Sequence, residues 1–237
     1  MRDRFGLGLR LAAWGVPLAL LLTVMVFPQI EIWLTRSFFD ADLRVFPFRV
    51  APLGEFVRKI LPIFLFALAI AIALLGAVAA VRRRPLWGIG PRVAVYLLAC
   101  LALGPGLAVN VVLKDNWGRP RPSTIAEFSG PKTYVRPFVL SDQCNDNCSF
   151  SSGHAALGFW AVAFALLAPP RRRQLSVAAA LLFGSLVGLA RIAQGGHFLS
   201  DVLVSGLLVS GLCLWLHRSM IRNAGFLPGK KTGPASL

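Results

Sequence analysis

Long apolar runs alternate with short polar segments along the 237 residues of this chain. A helix needs roughly 18 or more mainly apolar residues to cross a bilayer, and several of the runs approach or exceed that length. The pattern predicts six transmembrane helices, over about 11–27, 60–81, 93–113, 154–168, 175–191 and 198–216. We therefore predict an all-α integral membrane protein in which residues 1–237 form one helical bundle and no separate soluble domain.

Local signals mark the ends of several runs. Pro62 lies in the first turn of the second predicted span, where its missing N–H costs little, and three arginines at 82–84 stop that span. The first run follows arginines as in a signal peptide, but it is long and no small-residue cleavage site follows, so we predict a retained span. Residues 29–59 mix aromatics, prolines and charges, which indicates an interfacial loop with a short amphipathic helix near 53–59.

The composition agrees with a membrane protein, since 56% of the residues are hydrophobic, 15% are charged and the mean hydropathy is +0.67. A net charge of +15 suggests nucleic-acid binding, but no polar Lys/Arg helix or RNA-binding signature accompanies it, so that class is excluded. With six spans, 14 of the 25 Lys/Arg lie on the side of both termini and the loops 82–92 and 169–174. The positive-inside rule places that side in the cytoplasm and the other polar loops outside.

One outward-facing segment carries Arg191, His197 and Asp201 between two apolar runs. If it is helical, the four-residue spacing lets Asp201 accept the Nδ1–H of His197, which leaves Nε2 free to act as a nucleophile. Arg191 offers a planar fork for phosphate oxygens. A polar hairpin with its charges in interfacial water is the alternative, and this segment alone does not separate the two.

A second segment, at the outer end of the third predicted span, carries Lys114, Arg119 and Arg121. Cations held near low-dielectric walls suit an anionic ligand. A basic cluster lying on anionic lipid is the alternative interpretation.

A third segment is Ser152-Gly153-His154, directly before an apolar run. A serine at a helix start supplies a cap, and the free backbone N–H groups form an anion site. A lone histidine there is more often an interfacial residue than a catalyst.

Taken together, the order and spacing of these residues resemble the three-part signature of the type-2 phosphatidic acid phosphatase superfamily. These are lipid phosphatases that share a site with vanadium haloperoxidases. The matching positions are Lys114 and Arg121-Pro122, then Ser152-Gly153-His154, then Arg191, His197 and Asp201. The motif region covers 114–201, and two positions depart from it: Ser151 stands where the family usually has proline, and Ala190 where it usually has serine. Neither departure removes a titrating group.

The resemblance implies a role for each matching residue. His197 attacks phosphorus to form a phosphohistidine, Asp201 orients it, and His154 protonates the leaving oxygen and then activates water. The phosphate oxygens are held by Lys114, Arg121, Ser152, Gly153 and Arg191. Because these cations do the work that Mg²⁺ does elsewhere, no metal and no cofactor is expected. A zinc site is not favoured either, since His217 is predicted on the cytoplasmic side and no Cys/His spacing fits.

Two of the four cysteines, Cys144 and Cys148, lie in the outward-facing loop. On an oxidising face this spacing favours a disulfide that closes a small turn rather than a metal site. Cys100 and Cys213 lie inside predicted spans, where they are expected to pack as small apolar residues.

The loop between 128 and 150 resembles that of bacterial lipid A 4′-phosphatases, and its Lys132 and Arg136 are candidates to meet a second phosphate or an acidic sugar. Anchoring of the loop to anionic lipid is an equal alternative for these two bases. The resemblance implies removal of a phosphate from lipid A at the periplasmic face of the bacterial inner membrane, with a lipid phosphate substrate and membrane lipids as partners. The alternatives are hydrolysis of undecaprenyl diphosphate or phosphatidylglycerophosphate, and a non-catalytic lipid-binding or transport protein. Haloperoxidase chemistry is disfavoured by the six spans, and the sequence does not indicate an oligomeric state.

Overall fold

The computed structural model describes residues 2–222, with side chains from Trp14 onward. This part of the chain is helical and contains no β-strand, as predicted. Its main helices are α1 (Arg2–Val26), α2 (Gln29–Arg36), α3 (Pro52–Arg82), α4 (Pro91–Lys114), α5 (Gly153–Leu167), α6 (Pro170–Ala193) and α7 (Leu199–Arg222). Short 3₁₀ turns lie at Pro47–Arg49, Pro122–Thr124 and Ala126–Phe128. Helix α5 is interrupted once, at Trp160.

Four helices in the described residues, α3, α4, α6 and α7, are long and apolar enough to cross a membrane. The segment Trp14–Val26 and α2 together pass the same test but are bent by 102° at their junction. Helix α5 is apolar but shorter than a full span. The described residues thus hold four or five candidate spans, and the count of six remains a prediction. The predicted basic ends include residues outside the described part, among them Lys230 and Lys231.

The second predicted span began at residue 60, whereas α3 begins at Pro52. The segment expected as a separate interfacial helix is therefore the first part of α3. Pro52 occupies the first turn, where proline is tolerated, and Glu55 pairs with Arg58 and Lys59 at distances of 2.7 and 2.9 Å. These ion pairs stabilise polar turns at the start of α3. A prediction from apolar residues alone omits such turns and places the helix start too late.

Small residues bring the helices of the bundle close together, as is common in membrane proteins. A Cβ on Gly188 of α6 would lie 2.2 Å from Val202 of α7, and a Cβ on Gly158 of α5 would lie 3.1 Å from the Cα of Gly184. Helix α5 packs against α4, α6 and α7. The indole of Trp160 donates to the backbone carbonyl of α4 at Leu97, at 2.9 Å. Helix α5 is therefore largely enclosed by protein.

Candidate active site

The chain direction gathers the candidate residues at one end of the bundle. Helices α3, α5 and α7 begin there, and α4 and α6 end there. Lys114 is the last residue of α4, Arg191 lies in the last turn of α6, and His154 lies in the first turn of α5. The arginines at 82–84 lie at the opposite end of α3, and those at 171–173 lie in the first turn of α6, also opposite the candidate residues. The candidate site residues and the arginine clusters therefore lie at opposite ends of the helical bundle.

A cavity of about 460 Å³ opens at this end. Among the residues that the structure describes, the cavity wall contains five cationic side chains, two histidines and no carboxylate. These side chains are Arg49, Arg58, Lys114, Arg121, Arg191, His154 and His197. Cationic walls without a carboxylate suit an anionic ligand such as a phosphate group. A larger apolar groove of about 820 Å³ lies along α1, α6 and α7 and shares no lining residue with this cavity.

His197 is almost fully buried just before α7, with 1% of its surface exposed. Its Nδ1 lies 2.7 Å from the backbone carbonyl oxygen of Ser149. Because a carbonyl only accepts, Nδ1 carries the proton and Nε2 keeps a free lone pair. Burial lowers the pKa of His197 to about 3, with Asp201 opposing the shift and Arg191 adding to it. The imidazole is therefore neutral at pH 7, as nucleophilic attack requires.

The partner of this imidazole differs from the one expected from the sequence. Helix α7 begins at Leu199, so His197 precedes the helix and the assumed helical spacing does not apply. The Oδ2 of Asp201 lies 3.7 Å from Nδ1, beyond hydrogen-bond distance, and the Ser149 carbonyl takes the place expected for Asp201. Asp201 remains close enough to stabilise a positive charge on the ring.

Asp201 instead caps α7 and ties three segments together. Its Oδ2 accepts from the Phe198 N–H at 2.8 Å and from the Ser149 hydroxyl at 2.6 Å. Its Oδ1 accepts from Arg119 at 2.6 Å. Since Ser149 both bonds Asp201 and presents its carbonyl to His197, the carboxylate positions the histidine through Ser149.

Arg119 lies in a buried charge network and does not line the cavity. Its guanidinium pairs with Glu31 of α2 and with Asp201, and it also donates to Ser200 at 2.8 Å. Burial alone would lower the pKa of Arg119, but Asp201 and Glu31 outweigh it and raise that pKa above its ordinary value. This buried network gives Arg119 a structural role in the loop that carries it. Glu31 was missed, although a carboxylate in so apolar a chain requires a partner.

In the Ser152-Gly153-His154 segment, the first two residues contribute to helix capping and packing, whereas His154 lines the cavity. The Ser152 hydroxyl accepts from the Ala155 N–H at 3.4 Å and caps α5. A Cβ on Gly153 would lie 2.7 Å from the side-chain oxygen of Asn110, so the glycine permits close packing on α4. Neither Ser152 nor Gly153 is among the cavity-lining residues within the described chain. The side chain that this segment contributes to the wall is His154, whose Nε2 lies 3.0 Å from the Arg58 carbonyl oxygen.

Arg191 is held by neighbours that the sequence motif does not include. Its guanidinium donates to the side-chain oxygen of Gln194, and the Gln194 amide donates to the Gly54 carbonyl at 2.6 Å. A Cβ on Gly196 would lie 2.7 Å from Nη2 of Arg191, so glycine leaves room for the guanidinium fork. Within the described chain, the buried Nε of Arg191 has no hydrogen-bond partner.

Arg121 is tied to the disulfide loop. Cys144 and Cys148 form a disulfide, with their Cα atoms 5.6 Å apart, and the carbonyl of Asn147 inside this loop accepts from the Arg121 Nε at 2.8 Å. Burial and the nearby Arg49 lower the pKa of Arg121. Cys100 and Cys213 are free and buried. No group of three His, Cys, Asp or Glu that could hold a metal ion occurs in the part of the chain that the structure describes.

Fold and site together define a helical membrane protein with a histidine- and cation-lined cavity at one end of the bundle. Residues 93–225 match the profile of the PAP2 superfamily, and the chain belongs to that family. This confirms the resemblance seen in the sequence.

Within the family, the chain is similar in sequence to three curated proteins that share one name. The chain is 38% identical over 190 residues to the lipid A 4′-phosphatase of Francisella tularensis subsp. novicida, covering 78% of this chain and 83% of that protein. It is 33% identical over 204 residues to the lipid A 4′-phosphatase of Rhizobium etli, covering 78% and 76% of the two chains. Identity to the Rhizobium leguminosarum lipid A 4′-phosphatase is 31% over 203 residues, covering 80% and 86%. No solved structure matches the chain.

Proposed function

We propose that this protein is a bacterial membrane lipid phosphatase that removes the 4′-phosphate of lipid A through a phosphohistidine intermediate. The observation that carries the proposal is the cavity itself, in which both motif histidines and three motif cations share one wall. Similarity to three lipid A 4′-phosphatases supports the choice of substrate.

In the first step, Nε2 of His197 forms a bond to phosphorus while the bond from phosphorus to the sugar oxygen breaks. The negative charge of the bound phosphate offsets the nearby cations and favours protonation of His154. His154, then protonated on both nitrogens, keeps its Nε2–H on the Arg58 carbonyl and gives its Nδ1 proton to the leaving oxygen. Lys114, Arg121 and Arg191 hold the phosphoryl oxygens. The positive charge that develops on His197 lies 3.7 Å from the Asp201 carboxylate, which stabilises it.

In the second step, neutral His154 takes a proton from water as the water oxygen attacks phosphorus. The nitrogen–phosphorus bond breaks, phosphate leaves, and His197 returns to its neutral form. Burial favours that neutral form because it keeps the pKa of His197 low. The two steps together consume one water and release one phosphate and one alcohol.

We place the cavity on the periplasmic side of the inner membrane, with both termini in the cytoplasm. The arginines at 82–84 and 171–173 lie at the helix ends opposite the cavity, which is the distribution that the positive-inside rule associates with the cytoplasm. At a helix end, a phosphate at head-group level reaches the cations while the acyl chains stay in lipid.

Phosphate release by the purified protein from three lipids tests the substrate assignment. The lipids are lipid A, undecaprenyl diphosphate and phosphatidylglycerophosphate, each in mixed detergent micelles at matched surface concentration. We expect kcat/KM for lipid A to exceed the other two by at least roughly tenfold, about 1.4 kcal/mol of transition-state stabilisation. A higher value for either of the other lipids would replace the substrate and keep the chemistry. Binding without release from any of them would support the non-catalytic alternative.

The same assay, repeated in EDTA, tests the expectation that the cations act without a metal. We expect unchanged phosphate release, because the charge on the phosphoryl oxygens is met by protein side chains. Loss of activity on chelation, restored by added Mg²⁺, would contradict this.

A further inference from the structure

Two arginines in the cavity wall belong to no part of the family signature. Arg49 is the last residue of the 3₁₀ turn at Pro47–Arg49, and Arg58 lies in the first turns of α3. The sequence instead offered Lys132 and Arg136 for a second anionic group, and neither of these lines the cavity within the described residues.

The segment that carries the two arginines is fixed against the catalytic helices. A Cβ on Gly54 would lie 1.8 Å from the Phe48 carbonyl oxygen, so the turn closes directly onto the start of α3. The Gly54 carbonyl accepts from Gln194, the residue that also holds Arg191. Arg49 and Arg58 are therefore built into the wall rather than carried on a free loop.

The hydrogen bonding of Arg58 leaves part of its guanidinium unused. Its Nη2 pairs with Glu55 at 2.7 Å, while its buried Nε has no partner among the described residues. Arg49 is exposed at the cavity mouth and lies near enough to Arg121 to contribute to the lowered pKa of that arginine. The Arg58 side chain as a whole is 33% exposed, and an anion bound beside it and Arg49 would relieve the repulsion among these cations.

The charges of the wall exceed what one phosphate needs. A phosphate monoester carries a charge of about −2, and Lys114, Arg121 and Arg191 already oppose it. Arg49 and Arg58 add two further cations, and no carboxylate lines the wall among the residues that the structure describes. Glu55, which pairs with Arg58, is shared with Lys59 and does not line the wall. A substrate with a second negative group matches this excess better than a monophosphate does.

We propose that Arg49 and Arg58 form a second anion-binding subsite at the cavity mouth, which selects lipids that carry a second phosphate or carboxylate besides the phosphate that is cut. This inference rests on the proposed function and names the substrate class of the same cavity. The subsite binds the part of the substrate that does not react.

The test compares three probes with identical acyl chains: lipid A phosphorylated at both the 1 and 4′ positions, lipid A with the 4′-phosphate alone, and an analogue in which a carboxymethyl group replaces the 1-phosphate. The variants are Arg49→Gln, Arg58→Gln and the double substitution. Matched controls are Lys59→Gln, whose side chain also pairs with Glu55 but does not line the cavity, and Arg44→Gln on the exposed surface.

We expect the double variant to lose roughly 10- to 100-fold in kcat/KM on the bisphosphorylated probe, mainly through KM, as the loss of charge-assisted hydrogen bonds predicts. On the 4′-monophosphate the loss should stay below about threefold, and the controls should match wild type on all probes. The same loss on the carboxymethyl probe would show that the subsite binds a carboxylate as well as a phosphate.

Equal losses on all three probes, or losses in kcat alone, would overturn the proposal, because the arginines would then serve the reacting phosphate or His154. Unchanged kinetics in the double variant would also overturn it. Binding of each probe to His197→Ala protein, with and without the arginine substitutions, is measured in parallel. If wild type cleaves no probe, the proposed function fails, whereas the subsite still stands or falls by whether the arginines tighten binding of the doubly anionic probes.

Discussion

Replacing His197 by alanine is expected to reduce phosphate release from lipid A by roughly 10⁴-fold or more. The substitution removes the atom that we propose bonds to phosphorus, and loss of a nucleophile typically removes most of the catalysis. The cavity retains its cations, so binding of the lipid should weaken far less than turnover. The measurement is phosphate release under single-turnover conditions, together with substrate binding to the variant.

His217→Ala provides the matched control, because His217 is, like His197, a buried histidine but lies in α7 and does not line the cavity. Its turnover should remain close to that of wild type. Rapid quenching of wild type with labelled lipid A should trap label on the protein in an acid-labile, base-stable form, and His197→Ala should trap none. Near-native hydrolysis by the His197 variant would show that another group attacks phosphorus.

Arg119→Met is expected to destabilise the protein by about 3–5 kcal/mol, because it leaves Glu31 and Asp201 as buried carboxylates without their cation. In a chain of this size that corresponds to a fall of roughly 6–20 °C in the midpoint of thermal unfolding. Turnover should fall as well, since Asp201 positions Ser149 and through it His197. The unfolding midpoint in detergent and the turnover below that midpoint measure the two effects.

Two further variants separate a charge penalty from a simple loss of packing. Arg136→Met removes an exposed arginine from the same polar loop and should change the midpoint little. The combination of Arg119→Met with Glu31→Gln removes one of the stranded carboxylates and should recover part of the lost stability. A wild-type midpoint for Arg119→Met, or no recovery in the combination, would contradict the proposed role of this network.

The sequence predicted which motif residues come together at one end of the bundle, because its signals there are periodic and local. Apolar runs alternate in direction, so polar residues at alternate run ends must meet at one face of a membrane. Lys114, His154, Arg191 and His197 line one cavity for this reason. Membership of the PAP2 family was likewise visible in the spacing of these residues.

The contacts that the sequence did not predict are long-range or depend on exact helix ends. Glu31 and Arg119 lie 88 residues apart, and no spacing rule connects them. The hydrogen-bond partner expected for Nδ1 of His197 depended on whether α7 starts before or after residue 197. A shift of two residues in that boundary, from His197 to Leu199, replaced the Asp201 carboxylate by the Ser149 carbonyl as the partner of Nδ1.

The choice of cations for a second anionic group shows the same limitation of prediction from sequence. Lys132 and Arg136 were plausible by composition, but being in a polar loop does not determine which cations face the cavity. Arg49 and Arg58 reach it because Gly54 lets the preceding turn close onto α3 and because α3 begins at Pro52 rather than at residue 60. Both features arise from tertiary packing, which a hydropathy pattern does not record.

Mass spectrometry of lipid A from Gram-negative cells that express either wild type or His197→Ala tests the central claim most directly. We predict that wild type alone removes the mass of one phosphate from lipid A, and that fragmentation assigns the loss to the 4′ position. Lipid A of identical mass in both strains, with both proteins present in the membrane at equal levels, would contradict the assignment of this chain as a lipid A 4′-phosphatase.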